Sequence, residues 1–124
     1  MPDFSHRASE TERMDDLQVS GSDLEQALRE LETINYLLGG NHVTLTAVDR
    51  LLRATPYNGE LHIADLGCGS GDMLKLIRKR MDKLKRRVKL TGIDANPNVV
   101  RFAQANTPDV FDEFHKAFMS RWVV

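Results

Sequence analysis

Between Asp65 and Asp72 the chain reads Asp-Leu-Gly-Cys-Gly-Ser-Gly-Asp: three glycines at alternate positions, a thiol between the first two, and a carboxylate at each end. Leu90-Thr91-Gly92-Ile93-Asp94 then sets another carboxylate 27 residues after Gly67. Glycines at such spacing allow a tight turn and let a ligand approach the main chain. A helix starting at Asp72 would aim unpaired N–H groups at the same place. A dinucleotide loop, G-x-G-x-x-G, needs its last glycine at 72 or 74, where Asp72 and Leu74 stand. Asp72 also puts negative charge where a pyrophosphate would take the helix end. The Gly-Lys-Ser/Thr of a P-loop is absent. The loop therefore suits a ligand without phosphates, and better still one with positive charge. Asp94, ending the next strand, can accept from both hydroxyls of a ribose, so the pair of elements reports an adenosine-type ligand.

Those residues need a strand, a loop and a helix to place them, and the pattern supplies each. Leu61 to Leu66 is a short apolar run between turn signals, so a strand. Asp72 to about Leu84 is helical, with Met73, Leu74, Ile77, Met81 and Leu84 expected inward. Val88 to Ile93 is a second strand, and Pro97 suits the first turn of a helix that runs to about Ala105. Strand, helix, strand implies a parallel pair with a right-handed crossover. Upstream, Ser22-Asp23-Leu24-Glu25 reads as a capping box. Leu24, Leu28, Leu31, Ile34, Leu37 and Leu38 follow at helical spacing up to Gly39-Gly40, which reads as a helix end. A second helix is expected over about Thr44 to Ala54, with Leu45, Val48, Leu51 and Leu52 inward. Pro56-Tyr57-Asn58-Gly59 is a turn. In the tail, Phe111, Phe114, Phe118 and Trp122 fit a helical period, whereas Trp122-Val123-Val124 alone fits a strand.

The 124 residues suffice for one small domain, and a net charge of −1 names no partner. Its distribution is uneven. Met1 to Glu60 holds 11 acidic and 5 basic residues, whereas Lys75 to Lys89 holds 9 basic residues and one acid, Asp82. Lys75, Lys79 and Lys83 make a basic helix face, but it lies opposite the apolar stripe and no aromatics interleave with it. A solvated face is the simpler reading, and nucleic acid is not the expected partner. The single cysteine, Cys68, excludes an internal disulfide and fits a reducing cytoplasm. Cys68 is read as a small packing residue rather than a nucleophile, since no histidine is near it in sequence. The four histidines lack zinc-ligand spacing, so no metal is expected. No apolar run is long enough for a membrane span, and the polar N-terminus is not a secretory signal.

Asp65-x-Gly67-x-Gly69-x-Gly71 followed by Gly92-Ile93-Asp94 resembles the first two motifs of class I S-adenosylmethionine-dependent methyltransferases. The segments SETERMDD and LRELETINYLLGGNHVTL resemble the leader of a UbiE-like bacterial subgroup. The resemblance covers roughly Ser9 to Pro108. It implies an α/β fold, a partial Rossmann-like parallel sheet preceded by N-terminal helices. Residues 1–56 would be a helical leader and 57–124 part of the S-adenosylmethionine-binding domain. It also implies roles. Gly67, Cys68 and Gly69 would pass under the methionine part of the cofactor, and Asp65 would orient the loop and reach its amino group. Asp94 would bind the ribose, Ala95 and Asn96 would line the adenine side, and Asp72 is a further candidate. Arg13 could reach the cofactor carboxylate if its segment folds over the site. The expected reaction is methyl transfer to a small-molecule acceptor, lipophilic or phenolic, with no general base named. Against the family pattern, the sixteen residues after Pro108 do not read as a third strand, so later strands are expected to be missing. The alternatives are a truncated, non-catalytic remnant, which could act by pairing with another chain, and a basic-helix nucleic-acid-binding module.

Overall fold

The computed structural model describes residues 18–56, 58–107 and 113–116, the last stretch for its main chain only. Seven elements follow in chain order: α1 (Ser22–Leu37), α2 (Gly40–Ala54), β1 (Leu61–Leu66), α3 (Asp72–Lys83), β2 (Val88–Asp94), α4 (Pro97–Asn106) and β3 (Glu113–Lys116). The strands form one parallel sheet in the order β1-β2-β3. Register sets Leu61 beside Val88, Ile63 beside Leu90 and Asp65 beside Gly92. Both glycine-loop carboxylates, Asp65 and Asp94, thus sit at the C-terminal ends of neighbouring parallel strands, where open α/β sheets place their ligands.

β1 alternates: Leu61, Ile63 and Asp65 are half-buried, and His62, Ala64 and Leu66 are exposed. Its covered side faces a core of Leu74, Ile77, Met81, Val88 and Leu90, against which Leu45, Val48 and Leu52 of α2 also pack. A second cluster joins Leu24 and Leu28 of α1 to Val99 of α4, with Val19 and Phe102 at its rim. The guanidinium of Arg29 stands 5.5 Å from the Phe102 ring centre. Arg80 of α3 bridges to Asp49 of α2 through two hydrogen bonds of 2.9 and 2.5 Å. No helix among the described residues is long and apolar enough to cross a membrane.

Several expectations need correction. The capping box does not form, because Ser22 lies inside α1 and Gly21, at φ +83°, takes the cap position without a side-chain bond. The α1 stripe is buried only at Leu24 and Leu28; Leu31 and Ile34 are exposed, and Leu37 and Leu38 are 71% and 81% exposed. Leu51 and Leu84, expected inward, are exposed too. The physical reason is shared. A small sheet offers too little surface to cover every apolar position of three helices. α2 begins at Gly40, earlier than expected, because Gly39 at φ +77° turns the chain in one residue and accepts from His42 N and Val43 N. The segment after Pro108 was expected to hold no third strand, yet Glu113–Lys116 pairs in parallel with Thr91–Asp94. The open edge of β2 supplies the main-chain partners that such a polar tetrapeptide cannot supply itself. Arg13, Tyr57, Phe111, Phe118 and Trp122 lie outside the described residues.

Candidate functional site

The loop between β1 and α3 is fixed by the neighbouring strand. Gly67 N and Cys68 N both donate to the Ile93 carbonyl, at 2.7 and 3.0 Å. Gly69 N donates to Asp94 Oδ2 at 3.3 Å, and Asn96 N to Asp94 Oδ1 at 3.0 Å. Gly67, Gly69 and Gly71 all have positive φ, at +77°, +52° and +83°, a region that side chains enter at a cost. Gly71 caps α3, donating to the Cys68 carbonyl and accepting from Lys75 N. A Cβ on Gly67 would meet nothing within 4 Å, so the main chain there lies open to a ligand. Each oxygen of Asp94 holds one main-chain donor and retains further acceptor capacity.

Two cavities meet at this loop, sharing Leu28, Leu31, Gly67 and Gly69. The smaller, of about 190 Å³, opens beside Asp94, Asn96, Val99 and Val19. The larger, of about 360 Å³, lies between the α1–α2 hairpin and the loop, with Asp65, Ser70 and Asp72 on one wall. Leu28, Leu31, Glu32 and Asn35 form its other wall with Asn41 and Thr44 of α2. Those α1 residues stand at i, i+3, i+4 and i+7, one face of a helix. Asp72 is held by the Ser70 hydroxyl and by Lys75 Nζ at 3.4 Å. Burial, reinforced by Asp94, raises the Asp65 carboxyl above the ordinary range. Among the described residues no hydrogen bond counters that shift, so Asp65 is a half-buried acid that a cation would stabilise. Burial raises Glu32 as well, helped by the neighbouring Asp72 carboxyl.

The structure brings Asp65, Gly67, Cys68, Gly69 and Asp94 together. Cys68 is 7% exposed and packs in the core. Its thiol is pushed up to about 12, first by burial and then by Asp94 and Asp65. It is therefore protonated at neutral pH and no nucleophile. Asn96 lines the smaller cavity, but its side chain is already engaged. Its Oδ1 accepts from Asn98 N at 2.9 Å to cap α4, and its Nδ2 donates to the Val19 carbonyl at 3.1 Å. Ala95 is half-buried and lines neither cavity. The basic face of α3 is partly engaged within the chain: Lys75 with Asp72, Arg78 with the Val88 carbonyl and Arg80 with Asp49. Glu32, Asn35, Asn41 and Thr44 escaped sequence reasoning. The signal available was local, polar Glu32 and Asn35 set within the leucine stripe of α1. Nothing local says that this stripe crosses a loop forty residues on.

No family profile matches the chain, and no solved structure matches it. Curated relatives do. Trans-aconitate 2-methyltransferase of Escherichia coli K12 / DH10B is 32% identical over 72 residues, 58% of this chain and 26% of that protein. The protein of the same name from Escherichia coli O1:K1 / APEC is 36% identical over 76 residues, 61% of this chain and 27% of that protein. The chain thus spans about a quarter of the length of the curated relatives it matches. The likeness is to methyltransferases, and neither name points to the UbiE-like subgroup.

Proposed function

We propose that this chain is the cofactor-binding portion of an S-adenosylmethionine-dependent methyltransferase acting on a small-molecule acceptor. The observation that carries the proposal is the convergence of Asp65 and Asp94 on either side of a glycine loop that opens onto two adjoining cavities. The donor set fits the cofactor. Asp94 has acceptor capacity for ribose hydroxyls, and Asn96 helps wall that side. Gly67 leaves its main chain bare of side chains, and Asp65 supplies negative charge for the ammonium group of the amino-acid part. The likeness to methyltransferases supports the same reading.

When bound, S-adenosylmethionine supplies a methyl group already activated on a sulfonium. The chain's own residues have to bind and orient. Fixing two reactants in line contributes about 7–11 kcal/mol in favourable cases. The tie from Gly67, Cys68 and Gly69 to β2 gives the loop that rigidity before any ligand arrives. The acceptor proposed for the methyl group is a small lipophilic or phenolic molecule. A single buried thiol suits a cytoplasmic setting.

The test is titration calorimetry of the 124-residue chain with S-adenosylmethionine. Saturable binding is expected, weakened at least about tenfold by Asp94→Ala through loss of two charge-assisted hydrogen bonds. Absence of binding by the unaltered, folded chain would overturn the reading, as would unchanged affinity in Asp94→Ala.

A further inference from the structure

The methionine-side cavity carries more negative charge than Asp65 alone accounts for. Glu32 reaches it from α1, a different element, and its carboxyl neighbours that of Asp72 at the start of α3. α1 is seated firmly here, since Leu28, one turn before Glu32, is 3% exposed and comes within 3.8 Å of where a Gly69 Cβ would stand. The charged groups facing Glu32 are Asp72 and Lys75 of α3 and Arg29 of its own helix. Tyr36 and Lys79 line the adjoining groove. α2 contributes only uncharged Asn41 and Thr44 to the cavity, and β1 contributes Asp65. Among the described residues these carboxylates are not grouped closely enough to ligate a metal ion. Acids spread around a cavity of about 360 Å³ suit an organic cation instead.

Resting on the proposed cofactor, we infer that Glu32 is a ligand-positioning residue. From α1, over the glycine loop, its carboxylate receives the ammonium group of the amino-acid part, opposite the Asp65 wall. Two consequences follow. The α1–α2 hairpin becomes part of the cofactor site rather than a cover for it. Binding is also linked to protons, because burial, and then the neighbouring Asp72 carboxyl, favour the protonated form of Glu32 in the free chain, whereas an ammonium favours the ionised form. Affinity should therefore rise as pH rises through the titration of Glu32 and then level off.

Three nucleosides separate the possibilities. S-adenosylmethionine carries ammonium and sulfonium, S-adenosylhomocysteine carries ammonium only, and 5′-methylthioadenosine carries neither. Calorimetry with Glu32→Gln should show affinity for the first two reduced about tenfold, the worth of one charge-assisted bond, and the third unchanged. Proton release, read from heats in two buffers of different ionisation enthalpy, should fall in the variant, and Glu32→Asp should restore part of both. Equal weakening of all three ligands would make Glu32 merely structural and overturn the inference. Weakening for S-adenosylmethionine alone would assign Glu32 to the sulfonium, and no weakening would remove it from the site; each overturns it. Binding of none of the three by the unaltered chain would overturn the proposed function and this inference together, whereas binding with no Glu32 effect overturns this inference alone.

Discussion

The glycine loop and the α1–α2 hairpin both turn on glycines with positive φ, yet they are held in different ways. At the loop, three consecutive amides find fixed acceptors on or beside β2, and Cys68, Leu74 and Leu90 close the core beneath. At the hairpin, Leu37, Leu38 and Val43 are exposed, and the turn is held by its own helix ends. What seats the hairpin lies away from its turn: Leu24 and Leu28 at one end of α1, and the Arg80–Asp49 bridge on α2. The rigid half carries Asp65 and Asp94, whose geometry must be accurate for the proposed function. The hairpin half carries Glu32 and Asn35, which wall the larger cavity from the opposite side.

The largest test of that contrast compares two leucines. Leu90, 0% exposed between strand and helix, should cost about 2–5 kcal/mol of unfolding free energy as Leu90→Ala, from lost burial plus the cavity left behind. Leu38, 81% exposed at the hairpin, should stay within about 0.5 kcal/mol as Leu38→Ala. Urea unfolding followed by circular dichroism measures both. Comparable losses would mean that the hairpin surface is covered in solution.

How legible each half was in the sequence follows from the same contrast. β1 lies where its apolar run ends in glycine, and α3 begins at Asp72 as expected, because the forces that set them are local. Pro97 starts α4 for the same reason. Ser22 misled because a glycine one position earlier offers a cap conformation closed to other residues. The EFHK tetrapeptide of β3 carries no strand signature, and its partner on β2 lies more than twenty residues upstream. The placement of Asp65 and Asp94 at neighbouring strand ends was legible from glycine spacing and strand position. The place of Glu32 at the cavity was not, since it depends on α1 crossing a loop that only tertiary packing brings beneath it.

A smaller effect sharpens the contrast further. Gly67 and Gly39 have the same φ of +77°, and a Cβ at either would meet nothing within 4 Å. Substituting alanine at each should therefore cost a similar ~1–2 kcal/mol of backbone strain, since neither site adds a clash. Their effects on S-adenosylmethionine affinity should part. Gly67→Ala puts a methyl group on the bare floor shared by both cavities and should weaken binding. Gly39→Ala lies outside both cavities and should leave binding alone. Equal effects on affinity would show that the open surface at Gly67 is not what the ligand requires.

The smallest expected effect has the opposite sign. Asp65 is held in the rigid half with its carboxyl raised by burial first and by Asp94 second. A carboxyl whose folded-state pKa lies above its unfolded value disfavours folding once it is ionised. Stability is highest below the unfolded value and declines as pH rises through the folded one. At neutral pH, Asp65 therefore costs the fold something, and Asp65→Asn, which keeps the shape and drops the charge, should raise the melting temperature. The gain should vanish in acid, where the native carboxyl is protonated as well. The same substitution should weaken S-adenosylmethionine binding, because the ammonium group of the amino-acid part loses the charge beneath it. Thermal melts across pH, paired with calorimetry, decide the matter. A variant that is both less stable and unaltered in affinity would make Asp65 an ordinary structural acid. A variant that is more stable and binds less well would mean that the most firmly held part of the molecule keeps an unfavourable charge, and that the ligand is what the charge is there to meet.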